Sequence, residues 1–86
     1  MTKLIKFSSH AWLDYIHWQK SDKEMKQLID KLCLSILETP YQGLGYPQPL
    51  SYELNQIWCR RINMEHRLVY RINKDQIEIL QCRLHY

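Results

Sequence analysis

Arginines and a terminal His-Tyr pair are the residues of this chain best suited to chemistry on a phosphate ester. All five arginines lie in the last thirty of the 86 residues: Arg60, Arg61, Arg67, Arg71 and Arg83. A guanidinium held on a rigid strand can donate two hydrogen bonds to one phosphate. An imidazole titrates near neutral pH, so His85 is a candidate proton donor, and the Tyr86 ring could stack on a base. Cations that stabilise a charged phosphorus and an acid that protonates the departing oxygen are two of the groups that cleavage of a phosphodiester needs, and a general base is the third.

The distribution of charge supports a polyanionic partner. Residues 1–56 hold six lysines against six acidic residues, whereas residues 57–86 hold six basic residues against three acidic ones. The whole net charge of +3 therefore lies in the last third of the chain. A basic excess confined to one region is the electrostatic footprint of a protein that binds nucleic acid.

The last thirty residues predict three β-strands that would position these side chains. The segments are rich in β-branched and aromatic residues and are separated by short polar breaks. Their predicted bounds are Ile57–Asn63, His66–Ile72 and Gln76–Leu84. Because side chains alternate between the two faces of a strand, each strand has one apolar and one cationic face. In the third strand, Leu80 and Cys82 are predicted on the core face and Ile79 on the cationic face.

Turn lengths decide whether the cationic faces coincide. Three-residue turns, Asn63-Met64-Glu65 and Asn73-Lys74-Asp75, bring the apolar faces together, whereas a two-residue second turn would put Arg67 into the core beside Cys82. The resulting sheet presents Arg61, Arg67, Arg71, Arg83 and His85 on one surface. This register turns Arg60 inward, where a guanidinium needs a partner or a route to the sheet edge.

The first part of the chain predicts a strand and a helix. Lys3–Phe7 alternates in polarity and is predicted to join the later sheet. Ser8 or Ser9 can cap a helix that runs to about Lys20. Its apolar side is predicted to carry Trp12, Tyr15, Ile16 and Gln19.

A second helix follows at once. Ser21 and Glu24 have the spacing of a capping box. The apolar stripe of this helix is Met25, Leu28, Ile29, Leu32 and Ile36. The helix should end near Glu38, because Pro40 disfavours helical geometry in the residue before it.

These elements predict one α+β domain over residues 1–86. The expected fold is a four-stranded, antiparallel-rich sheet in the order β-α-α-β-β-β, with both helices packed on one face and a long structured loop from Pro40 to Asn55. Cys33, Cys59 and Cys82 lie in apolar segments and are predicted to be reduced core thiols. No metal site or cofactor is expected. The amino terminus lacks a signal-peptide pattern and no segment is long and apolar enough to span a membrane, which predicts a cytoplasmic protein.

Two groups of residues carry a family resemblance. The helices and loop contribute Trp12, Asp14, Tyr15, Trp18-Gln19, Asp22-Lys23, Thr39-Pro40, Gly43, Gly45, Pro47 and Pro49-Leu50. The strands contribute Trp58, Arg60-Arg61-Ile62, Glu65-His66-Arg67-Leu68-Val69-Tyr70 and Cys82-Arg83-Leu84-His85-Tyr86. Over nearly its whole length the chain resembles the YoeB/Txe toxins of the RelE superfamily, bacterial ribosome-dependent mRNA endonucleases. The resemblance implies a sheet with helices on one face and an RNA-facing cleft on the other.

The resemblance also implies roles for single residues. Arg67 and His85 would be catalytic, and Arg61 and Tyr86 would support the substrate phosphate and base. A loop glutamate would be the general base, but this sequence has Gln48 at that position, and an amide cannot take up a proton at neutral pH. The remaining candidate RNA contacts are Arg60, Arg83 and Glu65.

The identity of the base stays open at this level. The alternatives are His85 itself, Glu65 or His66 in the turn, or a group supplied by the ribosome or the RNA. Loss of a general base typically costs about 10²- to 10⁴-fold, so Gln48 predicts a weakened enzyme, or a binding module of the same fold that cuts little. A metal-dependent nuclease is disfavoured because the sequence lacks a carboxylate cluster.

The implied partners follow from the same resemblance. They are the 70S ribosome with its mRNA and a cognate antitoxin of the YefM/Axe kind, which should be acidic and partly disordered. The antitoxin would cover the cationic face or displace the end of the third strand. A homodimer is suggested by analogy with the family, and no membrane partner is expected.

Overall fold

The computed structural model contains two helices and five strands. It describes residues 3–50 and 56–84; residues 51–55 and the predicted site residues His85 and Tyr86 lie outside this description. In chain order the elements are β1 Leu4–Phe7, α1 Ser9–Ser21, α2 Lys23–Glu38, β2 Gln48–Pro49, β3 Ile57–Arg61, β4 Arg67–Ile72 and β5 Gln76–Gln81.

The strands form one mixed sheet with the order β1-β5-β4-β3-β2. β1 runs parallel to β5 at one edge, and the other neighbours are antiparallel. The predicted α+β class and the antiparallel-rich sheet are confirmed. The strand count is corrected from four to five, because the loop contributes β2, whose two residues are too short to show a strand pattern in the sequence.

Helix α1 begins where predicted, but a different side of it is buried. Ser8 is the N-cap, and its Oγ accepts a hydrogen bond from the Ala11 N–H at 3.1 Å. The buried residues of α1 are Ala11, Asp14 and Trp18, whereas Trp12 is 49% exposed. The predicted stripe is therefore wrong for Trp12 and Gln19, which are exposed, whereas Tyr15 is partly buried against the core. The polar contacts of Asp14 and Trp18 with the backbone at the end of β5 select this side of the helix over the one richest in aromatic residues.

Helix α2 has the predicted length and a different cap. The N-cap is Asp22, whose Oδ1 accepts hydrogen bonds from the N–H groups of Glu24 and Met25. Ser21 belongs to α1, where its Oγ donates to the His17 carbonyl, so the predicted capping box does not form. Met25, Ile29, Leu32 and Ile36 are buried as expected, Leu28 is 40% exposed, and the helix ends at Glu38 as predicted.

The β3–β4 hairpin has the predicted register. The Ile62 N–H donates to the His66 carbonyl at 3.0 Å, which closes a three-residue turn. Within the turn, Asn63 Oδ1 accepts from the N–H groups of Glu65 and His66, both at 2.8 Å. An asparagine that caps its own turn in this way fixes the loop length, and the loop length fixes which side chains share a face.

The β4–β5 hairpin departs from the predicted register. Its turn holds two residues, closed by the Asn73 N–H donating to the Gln76 carbonyl at 2.9 Å. Arg67 nevertheless stays off the core, because a β-bulge restores the alternation: Tyr70 pairs with Ile79, and its neighbour Val69 pairs with Gln81. Leu80 is the extra residue of the bulge. Consequently Ile77 and Ile79 join Cys82 in the core, which corrects the predicted place of Ile79 on the cationic face.

The core lies between the two helices and one face of the sheet. Among its fully buried side chains are Ile29, Ile36, Leu68, Tyr70, Ile77, Ile79 and Cys82. None of the three cysteines forms a disulfide, and burial raises the pKa of both Cys33 and Cys82 to about 12, which keeps them protonated and unreactive. None of the helices described is long and apolar enough to cross a membrane. The face of the sheet opposite the helices is called the helix-free face below.

Candidate nucleic-acid interface

Two arginines face each other across the β3–β4 hairpin. Arg61 is the cross-strand partner of Arg67, and strand alternation puts both side chains on the helix-free face. In the part of the chain that the structure describes, neither makes an ion pair with a carboxylate. Like charges directly opposite each other destabilise a sheet, so this pairing favours an anionic ligand.

Contacts with the hairpin turn hold Arg67 in place. Its Nη1 donates to the Asn63 carbonyl at 2.7 Å and to the His66 carbonyl at 3.1 Å. These contacts use one nitrogen of the guanidinium and leave Nε and Nη2 without an acceptor among residues 3–50 and 56–84. An arginine anchored through one nitrogen can still present the others, in a fixed orientation, to a phosphate.

Gln48 lies on the same face as the arginines. Gln48 is exposed in β2 and pairs with Cys59 of β3. Cys59 lies two residues before Arg61 on the same strand, so Gln48 and Arg61 are diagonal neighbours. Diagonal neighbours of this kind are about 7 to 8 Å apart, within reach of one nucleotide. The structure thus brings the predicted position of the base next to the arginine pair, with an amide in place of a carboxylate.

The loop before β2 approaches Arg61 closely. The Arg61 N–H donates to the Gly45 carbonyl at 2.6 Å, and the Arg61 guanidinium lies 5.3 Å from the centre of the Tyr46 ring. Gly45 has φ +85°, and a Cβ there would lie 2.9 Å from the Arg61 carbonyl oxygen and 2.9 Å from Leu32 Cδ2. Only glycine fits this approach without strain. Tyr46, 76% exposed, adds an aromatic ring beside the arginine pair.

Arg83 lies beyond the end of β5. The third strand was predicted to run to Leu84, but β5 ends at Gln81. The chain bends at residues 82–84, where Leu84 has φ +64°. The Leu84 carbonyl accepts a hydrogen bond from the Arg67 N–H at 3.0 Å, which places the bend beside the arginine pair. Within the described chain the Arg83 side chain has no hydrogen bond or ion pair, as expected for a cation available to a ligand.

Glu65 and His66, the two alternative bases in the turn, have different environments. The Glu65 side chain lies on the turn and is 74% exposed, and its Oε1 is 3.4 Å from His66 Nε2. His66 is buried, and its Nδ1 accepts a hydrogen bond from the Leu84 N–H at 2.8 Å. The Nδ1 lone pair is therefore occupied, so of these two residues only Glu65 is free to accept a proton from a substrate.

Arg60 is not an RNA contact, which corrects the prediction for this residue. It is fully buried, and it donates five hydrogen bonds. The acceptors are Tyr70 Oη, Ser35 Oγ and the carbonyls of Leu44, Thr39 and Gln42, at 2.7 to 3.1 Å. Thr39 is the C-cap of α2, so the guanidinium also lies at the negative end of a helix dipole. The inward register predicted for Arg60 is confirmed, and its partners are uncharged oxygens of α2, the following loop and Tyr70 of β4.

Arg71 is paired within the sheet. It lies opposite Glu78 in the β4–β5 register, and its Nη1 is 3.1 Å from Glu78 Oε1. Arg71 and Glu78 therefore form an ion pair across the two strands. Arg71 makes a smaller contribution than Arg61 and Arg67 to the positive potential of this face.

The middle of the helix-free face is less open than the sequence predicts. Cys59 and Val69 lie on it, between the arginine pair and the Arg71–Glu78 pair, and they are only 1% and 5% exposed. The accessible cationic surface is thus concentrated at the end of the sheet near the β3–β4 turn. No three His, Cys, Asp or Glu residues cluster as metal ligands in the described ranges.

Sequence reasoning missed the contacts that hold residues 82–84, made by Asp14, Trp18 and His66. One signal was present. His66 has the same parity as Leu68 and Tyr70, so alternation places it on the core face, where a polar side chain needs a partner. That partner proved to be the backbone of Leu84.

Comparison with known proteins agrees with this geometry. Residues 7–86 match the family model described as the YoeB-like toxin of bacterial type II toxin–antitoxin systems. Toxin YoeB of Streptomyces coelicolor is 45% identical over 82 residues, which cover 95% of this chain and 98% of that protein. The solved YoeB dimer from Staphylococcus aureus is 39% identical and superposes with a TM-score of 0.90 over 100% of both chains.

A second solved structure contains an antitoxin. It is the heterotetrameric YoeB–YefM toxin–antitoxin complex from Staphylococcus aureus, 39% identical, with a TM-score of 0.86 and coverage of 100% of both chains. Both the family model and the relatives span almost the whole chain. The chain therefore belongs to the YoeB-like toxin family of bacterial type II toxin–antitoxin systems.

Proposed function

We propose that this toxin is an endoribonuclease that enters the A site of the translating 70S ribosome and cuts the mRNA there without a metal ion. The observation that carries the proposal is the Arg61–Arg67 pair, two opposed cations without a carboxylate partner in the described chain. Such a pair can bind the scissile phosphate and stabilise the charge that develops on it. The ribosome as the site of action is proposed from the resemblance to the family, and action there would require a cytoplasmic protein.

The chemical roles follow from the groups available. Arg67, anchored at the turn, would donate to the non-bridging phosphate oxygens, with Arg61 and Arg83 as further cations. His85 would protonate the leaving 5′-oxygen, and Tyr86 would stack on a base, as the resemblance implies. The products would be a 2′,3′-cyclic phosphate or its hydrolysed form, and a 5′-hydroxyl.

The general base is the weak point of this catalyst. Gln48 can position the 2′-hydroxyl by a hydrogen bond but cannot remove its proton. Glu65 is an exposed carboxylate in the turn that holds Arg67, so it is the candidate base among the described residues. Its use would give slower cleavage than a carboxylate at position 48, which lies on the sheet itself.

Gln48 also favours a second candidate function. With an amide at the position of the base, the same surface would bind the ribosome, RNA or antitoxin and cut very little. Phosphate binding by the arginine pair needs no base. Binding without cleavage would distinguish this attenuated form from the nuclease.

The antitoxin is the other proposed partner. Next to the arginine pair, a groove of about 280 Å³ runs between α2 and the loop before β2. It is lined mainly by apolar side chains with two cations at its rim: Leu28, Leu32, Leu44, Tyr46 and Ile62, with Lys31 and Arg61. This combination fits an apolar side chain of an extended acidic antitoxin segment. A second toxin copy is a further proposed partner, because the Staphylococcus aureus relative was solved as a dimer.

The test is a cleavage assay on 70S ribosomes programmed with a defined mRNA, with mapping of the new 5′ ends. Wild-type protein should cut within the A-site codon, and Gln48→Glu should cut about 10²-fold faster or more, because it restores a general base. His85→Ala should abolish the cuts. If wild-type protein does not cleave the mRNA and Gln48→Glu does, the protein is the attenuated binding form. If neither protein cleaves the mRNA, the proposed nuclease function is wrong.

A further inference from the structure

The bend after β5 is held by hydrogen bonds from buried side chains of two other elements. Asp14 Oδ2 accepts from the Cys82 N–H at 3.1 Å, and Trp18 Nε1 donates to the Cys82 carbonyl at 2.9 Å. Both side chains come from α1 and are 7% exposed. A helix on the far side of the sheet thus fixes where the last strand ends.

His66 makes the last of these contacts, and it is the one nearest the terminus. Its Nδ1 accepts from the Leu84 N–H at 2.8 Å, and its ring packs edge-on against Trp18 with centroids 4.7 Å apart. Leu84 has φ +64°, a conformation that a leucine adopts only at a cost. The hydrogen bond to His66 offsets that cost and fixes the conformation of the bend at Leu84.

We propose that His66 is a positioning residue of the nuclease: by holding the Leu84 N–H it fixes the bend at residues 82–84 beside Arg67, the bend that immediately precedes the proposed acid His85 in the sequence. The inference rests on the proposed function, in which His85 is the acid. His66 itself does not touch the substrate, since its Nδ1 is occupied and its side chain is buried. The Arg67 N–H donates to the Leu84 carbonyl, so the bend that His66 holds also borders Arg67.

Two substitutions of similar shape separate the hydrogen bond from the packing. In His66→Asn the amide Oδ1 takes the place of Nδ1 and can accept the hydrogen bond from the Leu84 N–H. In His66→Leu the side chain has nearly the volume of histidine but offers no acceptor. Both lose the ring contact with Trp18 to a similar degree. The difference between the two variants therefore reports the hydrogen bond.

The first readout is amide hydrogen exchange of Leu84, with the amide of Ile72 as internal control. The N–H of Ile72, at the end of β4, donates to the carbonyl of Gln56 just before β3, away from the bend, so its exchange reports opening of the sheet elsewhere. His66→Leu should speed exchange at Leu84 about 10- to 100-fold relative to Ile72, and His66→Asn should restore most of the protection. Equal exchange in the two variants would overturn the role of His66.

The second readout is single-turnover cleavage at saturating ribosome, with ribosome affinity measured separately. His66→Leu should cut about 10- to 100-fold more slowly at nearly unchanged affinity, and His66→Asn should recover the rate. A wild-type rate in His66→Leu would refute positioning. If cleavage fails in wild type, the same pair is compared in the Gln48→Glu background. If that also fails, the proposed nuclease is wrong and the positioning role with it, while the exchange data still show whether His66 holds Leu84.

Discussion

Arg61 and Arg67 lie directly opposite each other in the β3–β4 hairpin, with both side chains on the face of the sheet that no helix covers. The three-residue turn between their strands makes this pairing, since a turn one residue shorter or longer would rotate one of them into the core. The same turn holds Arg67 through the Asn63 carbonyl. The sequence of one short turn therefore determines both the distance between the two cations and the orientation of one of them.

Replacing Arg67 with glutamine should lower the cleavage rate and leave the stability of the fold nearly unchanged. Arg67→Gln should lower ribosome-dependent cleavage about 10²- to 10³-fold, because one fixed donor to the transition state is lost. Its free energy of unfolding should change by less than about 1 kcal/mol, because loss of the turn contacts is offset by relief of the repulsion from Arg61. Cleavage rates and urea unfolding of the same preparations give the comparison.

Arg71→Gln is the matched control. Arg71 lies on the same strand and the same face but is paired with Glu78. Cleavage should fall less than about fivefold, since a partly exposed pair on the sheet surface contributes only about 0 to 1 kcal/mol and the phosphate site is elsewhere. Equal losses of cleavage rate in the two variants would mean that the RNA responds to the total positive charge of the face and not to a specific phosphate site at Arg67.

Arg60 should be indispensable for stability. In Arg60→Lys an ammonium with three donors replaces a guanidinium that makes five hydrogen bonds, and buried carbonyls of the loop lose their partners. The variant should lose more than about 3 kcal/mol of unfolding free energy. Arg61→Lys, at an exposed neighbouring position, should lose less than about 1 kcal/mol. Similar urea midpoints for the two variants would contradict the described network.

These residues show what the sequence could and could not predict. The sequence predicted correctly on which face of the sheet Arg60, Arg61 and Arg67 lie, because a strand with one apolar face leaves little freedom of register. The partners of Arg60 were not readable, because they are backbone carbonyls of an aperiodic loop, and such groups carry no sequence signal. The bulge at Leu80 escaped prediction for a similar reason: two-residue and three-residue turns are both compatible with the polar segment, and only packing of Ile77 and Ile79 decides between them.

The arrangement of the candidate site was predictable to a similar degree. The arginine pair follows from alternation, and the change to Gln48 is visible in the sequence itself. Its closeness to Arg61 depends on the two-residue strand β2, which has no periodic pattern. The contacts at Cys82 and Leu84 depend on how α1 docks against the end of β5, which local sequence does not determine.

The buried thiols should make the fold less stable at high pH. Burial, together with a smaller effect of nearby Asp30, raises the pKa of Cys33 from its ordinary value of 9.0 to about 12. The native state therefore holds this proton more tightly than the unfolded chain does, so the contribution to stability is complete below about pH 9 and is lost as the pH rises toward 12. Burial also raises the pKa of Cys82 and of Tyr70, with the same sign.

Unfolding free energies measured between pH 8 and pH 11 would test this expectation, with Cys33→Ala as the comparison. Each buried thiol adds at most about 1.4 kcal/mol per pH unit to the slope above its unfolded pKa. Wild type should lose stability more steeply than Cys33→Ala above pH 9. Parallel curves would show that the Cys33 thiol ionises as easily in the folded protein as in the unfolded chain.

The groove beside Arg61 should distinguish antitoxin binding from cleavage. Lys31 lies at the rim of the groove on α2, outside the arginine pair. Lys31→Glu should weaken binding of an acidic cognate antitoxin about 10-fold, chiefly through slower association at low salt, and leave cleavage nearly unchanged. Lys23→Glu makes the same charge change about 12 Å away along α2, near the helix N-terminus, and should have little effect on affinity. Surface plasmon resonance at two salt concentrations gives the rates. If both variants weaken binding equally, the antitoxin senses only the net charge of the toxin, and the groove is not its docking site.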